Sequence, residues 1–199
     1  MTRSETYPLR RRAVVESLLG DRGDLLVVAG LGAPCWDVTA AGDHALTFPL
    51  WGAMGSAALI GLGLALAQPA RRVLVITGDG EMLMGLGGLA TIAVQAPENL
   101  AIAVLDNERY GETGMQATHT AFGVDLAAVA AAAGLPVTGT VGDDAGLGAA
   151  VAKLRGARGP VFFTIKVRAE DLPLALPPRD GVHLKDRFRG ALLGEKEAV

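Results

Sequence analysis

The sequence predicts an α/β protein, a single doubly wound parallel sheet with helices on both faces. Three observations predict it. Short runs at residues 73–77, 100–105 and 161–167 are largely apolar, as strands covered on both sides must be. Longer stretches with helical spacing separate them, and strands alternating with helices make a parallel sheet. The chain has 199 residues, half of them hydrophobic and 20% charged, which suits one buried core, residues 1–199, with little length left for a second domain.

Each element has its own justification. Residues 9–19 set apolar side chains on one helical face and stop at Gly20. A β-rich run at 25–29 halts at Gly30-Leu31-Gly32, and a helix is expected from there toward Thr39. Residues 45–48 form a brief strand into Pro49. A helix crowded with glycine and alanine is expected at 53–67, ending before Pro69. The 73–77 strand leads into a helix at 81–95, and the 100–105 strand into a glycine-punctuated loop at 108–122. Asp125 is placed to cap a helix ending near Gly134. A strand at 137–140, a helix at 144–155 and the 161–167 strand follow. Pro173, Pro177 and Pro178 mark a connector to a charged helix at 182–193, within a helical tail at 179–199.

Composition excludes several classes of function. The net charge of −3 gives no electrostatic footprint for nucleic acid or for an anionic membrane. The cluster Arg10-Arg11-Arg12 reads as a solvated helix face, and Arg71-Arg72 as a solvated pair at the far edge of the sheet. One cysteine, Cys35, leaves no disulfide framework and no cysteine metal cluster; a small, semi-buried residue is expected there. The most apolar run, 57–67, is too short to span a bilayer. No signal peptide is visible, so a soluble, cytoplasmic protein is expected.

The most informative stretch is Gly78-Asp79-Gly80-Glu81, which follows one strand, together with Asp106-Asn107, which ends the next. Parallel strands share one carboxyl edge, where ligands bind. Asp79 and Asn107 can therefore place two oxygens side by side. Hard oxygens held this way suit Mg2+, which completes its shell with phosphate and water. Gly78 and Gly80 let the backbone approach a bulky anion, and the N–H groups of the following helix face it. The residues thus point to a magnesium–diphosphate site. Helix capping by Asp79 and a turn at Asn107 are the plainer readings.

GDGE, a strand closed by DN, and ERYG together resemble the diphosphate-and-metal motif of thiamine-diphosphate-dependent enzymes, in their C-terminal, diphosphate-binding domain. The upstream segment FPLWGAMGSAALIGLGLALA is similar to the one that precedes that motif. DNERYGETGMQAT is similar to the loop of the small (beta) subunits of sulfopyruvate and phosphonopyruvate decarboxylases. The resemblance runs from about residue 27 to 167.

The resemblance implies thiamine diphosphate and Mg2+ as cofactors. It implies Asp79, Asn107 and a backbone carbonyl of Arg109 as metal ligands, and the amides of Gly80 and Glu81 against the diphosphate. It implies Gly30 and Leu31 lining the diphosphate, Gly52 accepting a hydrogen bond from the aminopyrimidine, and Met54 as the apolar wedge that bends the cofactor. Tyr110, Gly111, Glu112, Thr118 and His119 belong to the loop facing the reacting carbon, with Glu112, Thr118 and His119 as candidates for substrate contact or proton transfer. The family loop is more often small and polar where Glu112 stands.

The implied reaction is decarboxylation of a small 2-oxo acid to carbon dioxide and an aldehyde. The family's activating glutamate lies in a pyrimidine-binding domain for which this chain has no room. A partner subunit carrying that glutamate is therefore expected, in a heterotetramer or a larger assembly. Two alternatives remain open: a subunit of a thiamine-diphosphate carboligase or 2-oxo acid oxidoreductase, and a non-catalytic nucleotide-binding module suggested by Gly30-Leu31-Gly32. The latter lacks the third glycine of the dinucleotide fingerprint, since Cys35 stands in its place.

Overall fold

The computed structural model describes residues 2–194. Residues 195–199 of the expected tail lie outside them. The helices are α1 (Arg11–Leu19), α2 (Ala33–Ala40), α3 (Ala57–Ala67), α4 (Asp79–Met84), α5 (Gly88–Gln95), α6 (Leu126–Ala133), α7 (Asp144–Gly156) and α8 (Gly181–Leu193). The strands are β1 (Leu26–Ala29), β2 (Thr47–Pro49), β3 (Val73–Gly78), β4 (Leu100–Asp106), β7 (Val137–Val141) and β8 (Val161–Lys166), with a small antiparallel ribbon of β5 (Arg109–Tyr110) and β6 (Gln116–Ala117). Six strands make one parallel sheet in the order β2-β1-β3-β4-β8-β7.

Strand side chains alternate between the two faces, and each face has its own helices. Val27, Leu74, Ala103 and Phe163 pack with α1, α2 and α7. Leu26, Val75, Ile102 and Phe162 pack with α3, α5 and α6. Every residue of β4 is buried, as a central strand covered on both sides should be. Asp125 caps α6 by accepting from the Ala127 and Ala128 amides. Helix α8 lies against the edge strand β2, with the Phe48 and Phe188 rings edge to face at 5.5 Å.

Several expectations need correction. The helix expected at 81–95 is two helices, broken at Gly85-Leu86-Gly87. The break has a steric cause: a Cβ on Gly85 would lie 2.2 Å from the Gly55 carbonyl oxygen, so two backbone segments meet there with no room for a side chain. The helix expected from residue 53 begins at Ala57, because Ala53 (φ 62°) and Gly55 (φ 89°) take left-handed conformations that a right-handed helix cannot include.

Arg11 is not solvated but buried, with Nε donating to Asp37 Oδ2 at 2.6 Å. Arg72 is half-buried and donates to the Leu154 and Ala157 carbonyls at the end of α7, and burial lowers its pKa to about 10. Cys35 is fully buried rather than semi-buried. Burial, aided by the negative charge of Glu112, pushes its thiol up to about 12, which leaves it an inert packing residue.

Candidate functional site

The strand order reverses at β1, which has β2 on one side and β3 on the other. Open α/β sheets bind ligands beside such a reversal, at the carboxyl ends of the strands. A cleft of about 260 Å³ lies there. Leu31 and Gly32 enter it from the end of β1, Gly78 to Glu81 from the end of β3, and Leu105 and Asn107 from the end of β4. The ribbon loop adds Arg109, Tyr110, Gly111 and Glu112, and Met54 closes another side.

Asp79 is buried. Its Oδ2 accepts from the Thr118 hydroxyl at 2.5 Å and from Thr120 at 3.3 Å. Burial first, and the nearby Asp106 carboxylate second, raise its pKa to about 7 against the help of those hydroxyls. Asn107 folds back to accept the Arg109 amide at 2.9 Å, and Asp106 accepts the Glu108 amide at 3.0 Å. These successive Asx turns force Glu108 to a φ of 62° and fix the Asn107 amide at the cleft wall. Gly80 is required because the Tyr110 ring fills the place of its side chain: a Cβ would lie 2.5 Å from Tyr110 Cε1.

Glu81 lines the cleft, yet its carboxylate points into the structure, accepting the Ala57 amide at 2.9 Å and the Thr77 hydroxyl. It thereby ties the start of α3 to α4. Met54, 39% exposed, is presented to the cleft beside the left-handed Ala53.

Four expected residues are not in the lining of this chain's cleft. Thr118 is fully buried behind Asp79, so its hydroxyl serves the carboxylate and does not face a substrate. His119 is exposed and outside the cleft lining of this chain. Gly52 is exposed and also outside the lining. Gly30 is buried, where it lets β1 approach β3: a Cβ there would meet Thr77 Oγ1 at 2.4 Å.

Sequence reasoning missed the support under the site. Thr120 donates to Asp106 Oδ1 at 2.8 Å, and Lys166 Nζ bridges Asp106 at 2.6 Å and Glu108 at 3.2 Å. Glu108 also accepts from Tyr7 at 2.6 Å and from Arg3. Burial alone would raise the Glu108 carboxyl, but Tyr7, Arg3 and Lys166 outweigh it and hold it below the ordinary range. A lysine at the end of the strand next to Asp106 was the available signal.

Over residues 31–165 the sequence matches the family described as thiamine pyrophosphate enzyme, C-terminal TPP binding domain. The chain belongs to this family. Sulfopyruvate decarboxylase subunit beta of Methanothermobacter thermautotrophicus is 39% identical over 189 residues, which cover 95% of this chain and 98% of that protein. Phosphonopyruvate decarboxylase of Streptomyces viridochromogenes is 38% identical over 188 residues, 94% of this chain but only 47% of that longer protein. A candidate thiamin diphosphate-dependent enzyme from Mycobacterium smegmatis superposes with a TM-score of 0.69 at 25% identity, over 82% of this chain and 32% of the other. The nucleotide-module alternative falls with this membership.

The donor set of this thiamine pyrophosphate enzyme domain fits thiamine diphosphate and Mg2+. Among the described residues no three His, Cys, Asp or Glu side chains form a metal-holding group; Asp79 with Asn107 and a backbone carbonyl is the kind of oxygen set that Mg2+ takes beside a diphosphate. Asp79 is an acid whose charge is opposed by burial and by Asp106, and a dication beside it reverses that balance. Asn107 Oδ1 has spent one of its two lone pairs on the Arg109 amide, leaving the other for a metal. Among the described residues no helix is long and apolar enough to cross a membrane.

Proposed function

We propose that this chain is the diphosphate- and magnesium-binding subunit of a two-chain, cytoplasmic 2-oxo acid decarboxylase that releases carbon dioxide and an aldehyde. The observation that carries this reading is the meeting of Asp79 and Asn107 in one cleft at the sheet reversal, in a chain matching a decarboxylase subunit beta along 95% of its length. Residues 2–194 act as a single binding domain, with α8 as an appended tail.

Asp79, Asn107 and the Arg109 carbonyl would hold Mg2+, with the Gly80 and Glu81 amides toward the diphosphate. Bound thiamine diphosphate supplies the carbon nucleophile and the electron sink for loss of carbon dioxide. Met54, long and polarizable, suits an apolar wedge against its rings. Tyr110, Gly111 and Glu112 form the wall over the substrate, and the packed core below keeps water from the buried side of Asp79.

The chain spans about half the length of the phosphonopyruvate decarboxylase but nearly the whole of a relative named as a subunit beta. The subunit naming supports a separate partner chain; the activating glutamate on that partner, and two or more copies of each chain, are part of the proposal. The test is co-expression with that companion, followed by incubation with 2-oxo acids, thiamine diphosphate and Mg2+. Carbon dioxide and aldehyde should appear in the complex and not with this chain alone. Carboligated or oxidised products would replace the decarboxylase reading with one of its rivals.

A further inference from the structure

The names of the two relatives specify sulfopyruvate and phosphonopyruvate, 2-oxo acids that carry a second strong anion. The charges in this cleft do not suit one. Beyond Asp79 and Glu81, three more acids line it, Glu112, Glu170 and Asp171, against the two arginines Arg11 and Arg109. Arg11 is already committed, with Nε to Asp37 and Nη1 to the Glu170 carbonyl at 2.7 Å. Arg109 donates to the Glu108 carbonyl at 3.2 Å and has no carboxylate partner among the described residues. One guanidinium can meet one carboxylate, and every 2-oxo acid brings that one at its first carbon.

Glu112 is exposed on the wall and held there by one neighbour. The Trp36 indole donates to its Oε1 at 3.1 Å, and its Cγ fills the space over Gly32, where a Cβ would come within 3.1 Å of it. Glu170 is paired with Arg10 through Oε2 at 2.5 Å, and its side chain is 10% exposed. Its Oε1 is buried with no hydrogen-bond partner among the described residues. Among the described residues that line this chain's side of the cleft, a second substrate anion would therefore meet acids with no uncommitted cation beside them, and specificity of this kind often rests on repulsion.

We infer that Glu112, together with Glu170, sets the substrate class of this site: 2-oxo acids whose far end is neutral or donates a hydrogen bond, to the exclusion of sulfonates and phosphonates. This rests on the decarboxylase reading and narrows it.

The test compares hydroxypyruvate with sulfopyruvate, which differ in a hydroxyl against a sulfonate on the same carbon. The complex with its partner, loaded with thiamine diphosphate and Mg2+, is titrated with each by rapid-mixing tryptophan fluorescence. Trp36 lines the cleft, with the Trp51 ring 5.1 Å away. Carbon dioxide is measured in parallel. The wild-type complex should bind hydroxypyruvate at least tenfold more tightly. Glu112→Gln keeps an acceptor for Trp36 while removing the charge, and should shrink that ratio about fivefold or more, as should Glu112→Ser. Equal binding of the two acids, a ratio unchanged in both variants, or no binding of either acid overturns the inference. Carbon dioxide release without discrimination removes it and leaves the decarboxylase reading standing. Discrimination without carbon dioxide does the reverse.

Discussion

Burial and the Asp106 carboxylate raise Asp79 to about 7 from an ordinary 3.8, so folding favours its protonated form. Between about pH 4 and pH 7 the unfolded chain releases this proton while the folded chain keeps it, and the residue's contribution to stability falls as pH rises through that window. Asp79→Asn should therefore raise the melting temperature of the metal-free protein at pH 7.5, by roughly 2–4 °C per kcal/mol recovered at this size. It should also abolish any further rise on adding thiamine diphosphate and Mg2+; scanning calorimetry reads both. Thr118→Val removes a hydrogen bond to a charged group, worth about 1.5–3 kcal/mol. Metal-dependent cofactor affinity should drop about tenfold or more, with Thr118→Ser restoring it, as measured by Mn2+ titration. The sequence shows Asp79 and Asn107 plainly, because both close apolar strands. It does not show that Thr118 serves Asp79 from behind, since 39 residues separate them and only the fold of the ribbon loop brings them together.

At the scale of elements, the close approach of Gly85 to the Gly55 backbone couples the break between α4 and α5 to the turn that presents Met54. Gly85→Ala places a Cβ 2.2 Å from a carbonyl that cannot rotate away. It should cost about 1–3 kcal/mol, seen in urea melts, and should also weaken cofactor binding. Phe188 anchors α8 on Phe48, and Phe188→Ala should cost about 3 kcal/mol and open residues 181–193 to proteolysis. Apolar periodicity located the sheet strands and most helices correctly. It missed the α4–α5 break because a helical pattern tolerates glycine, and only backbone contact with a distant segment decides whether the helix continues. It also misplaced Arg11 and Arg72, whose fates depend on Asp37 and on the carbonyls at the end of α7.

For the whole molecule, the arrangement that matters is a sheet whose order reverses at β1, with most cleft residues contributed by strand ends and the segments that follow them, joined by Arg11 of α1 and Trp36 of α2. Strand alternation made that architecture legible, because two-sided burial leaves apolar runs that few other folds need. The partner and the substrate were less legible, since both depend on surfaces formed between chains. Thiamine diphosphate and Mg2+ together should stabilise the two-chain complex more than either isolated chain, in thermal shift, because a ligand raises stability in proportion to its affinity for the folded state. Arg3 and Tyr7 grip Glu108, the neighbour of Asn107, and the Ala169 amide bonds the Ser4 carbonyl at 2.9 Å. An affinity tag or fusion joined at the amino end would therefore tug on the metal-binding turn itself, and recombinant protein made that way should take up magnesium less readily than the same protein after tag removal.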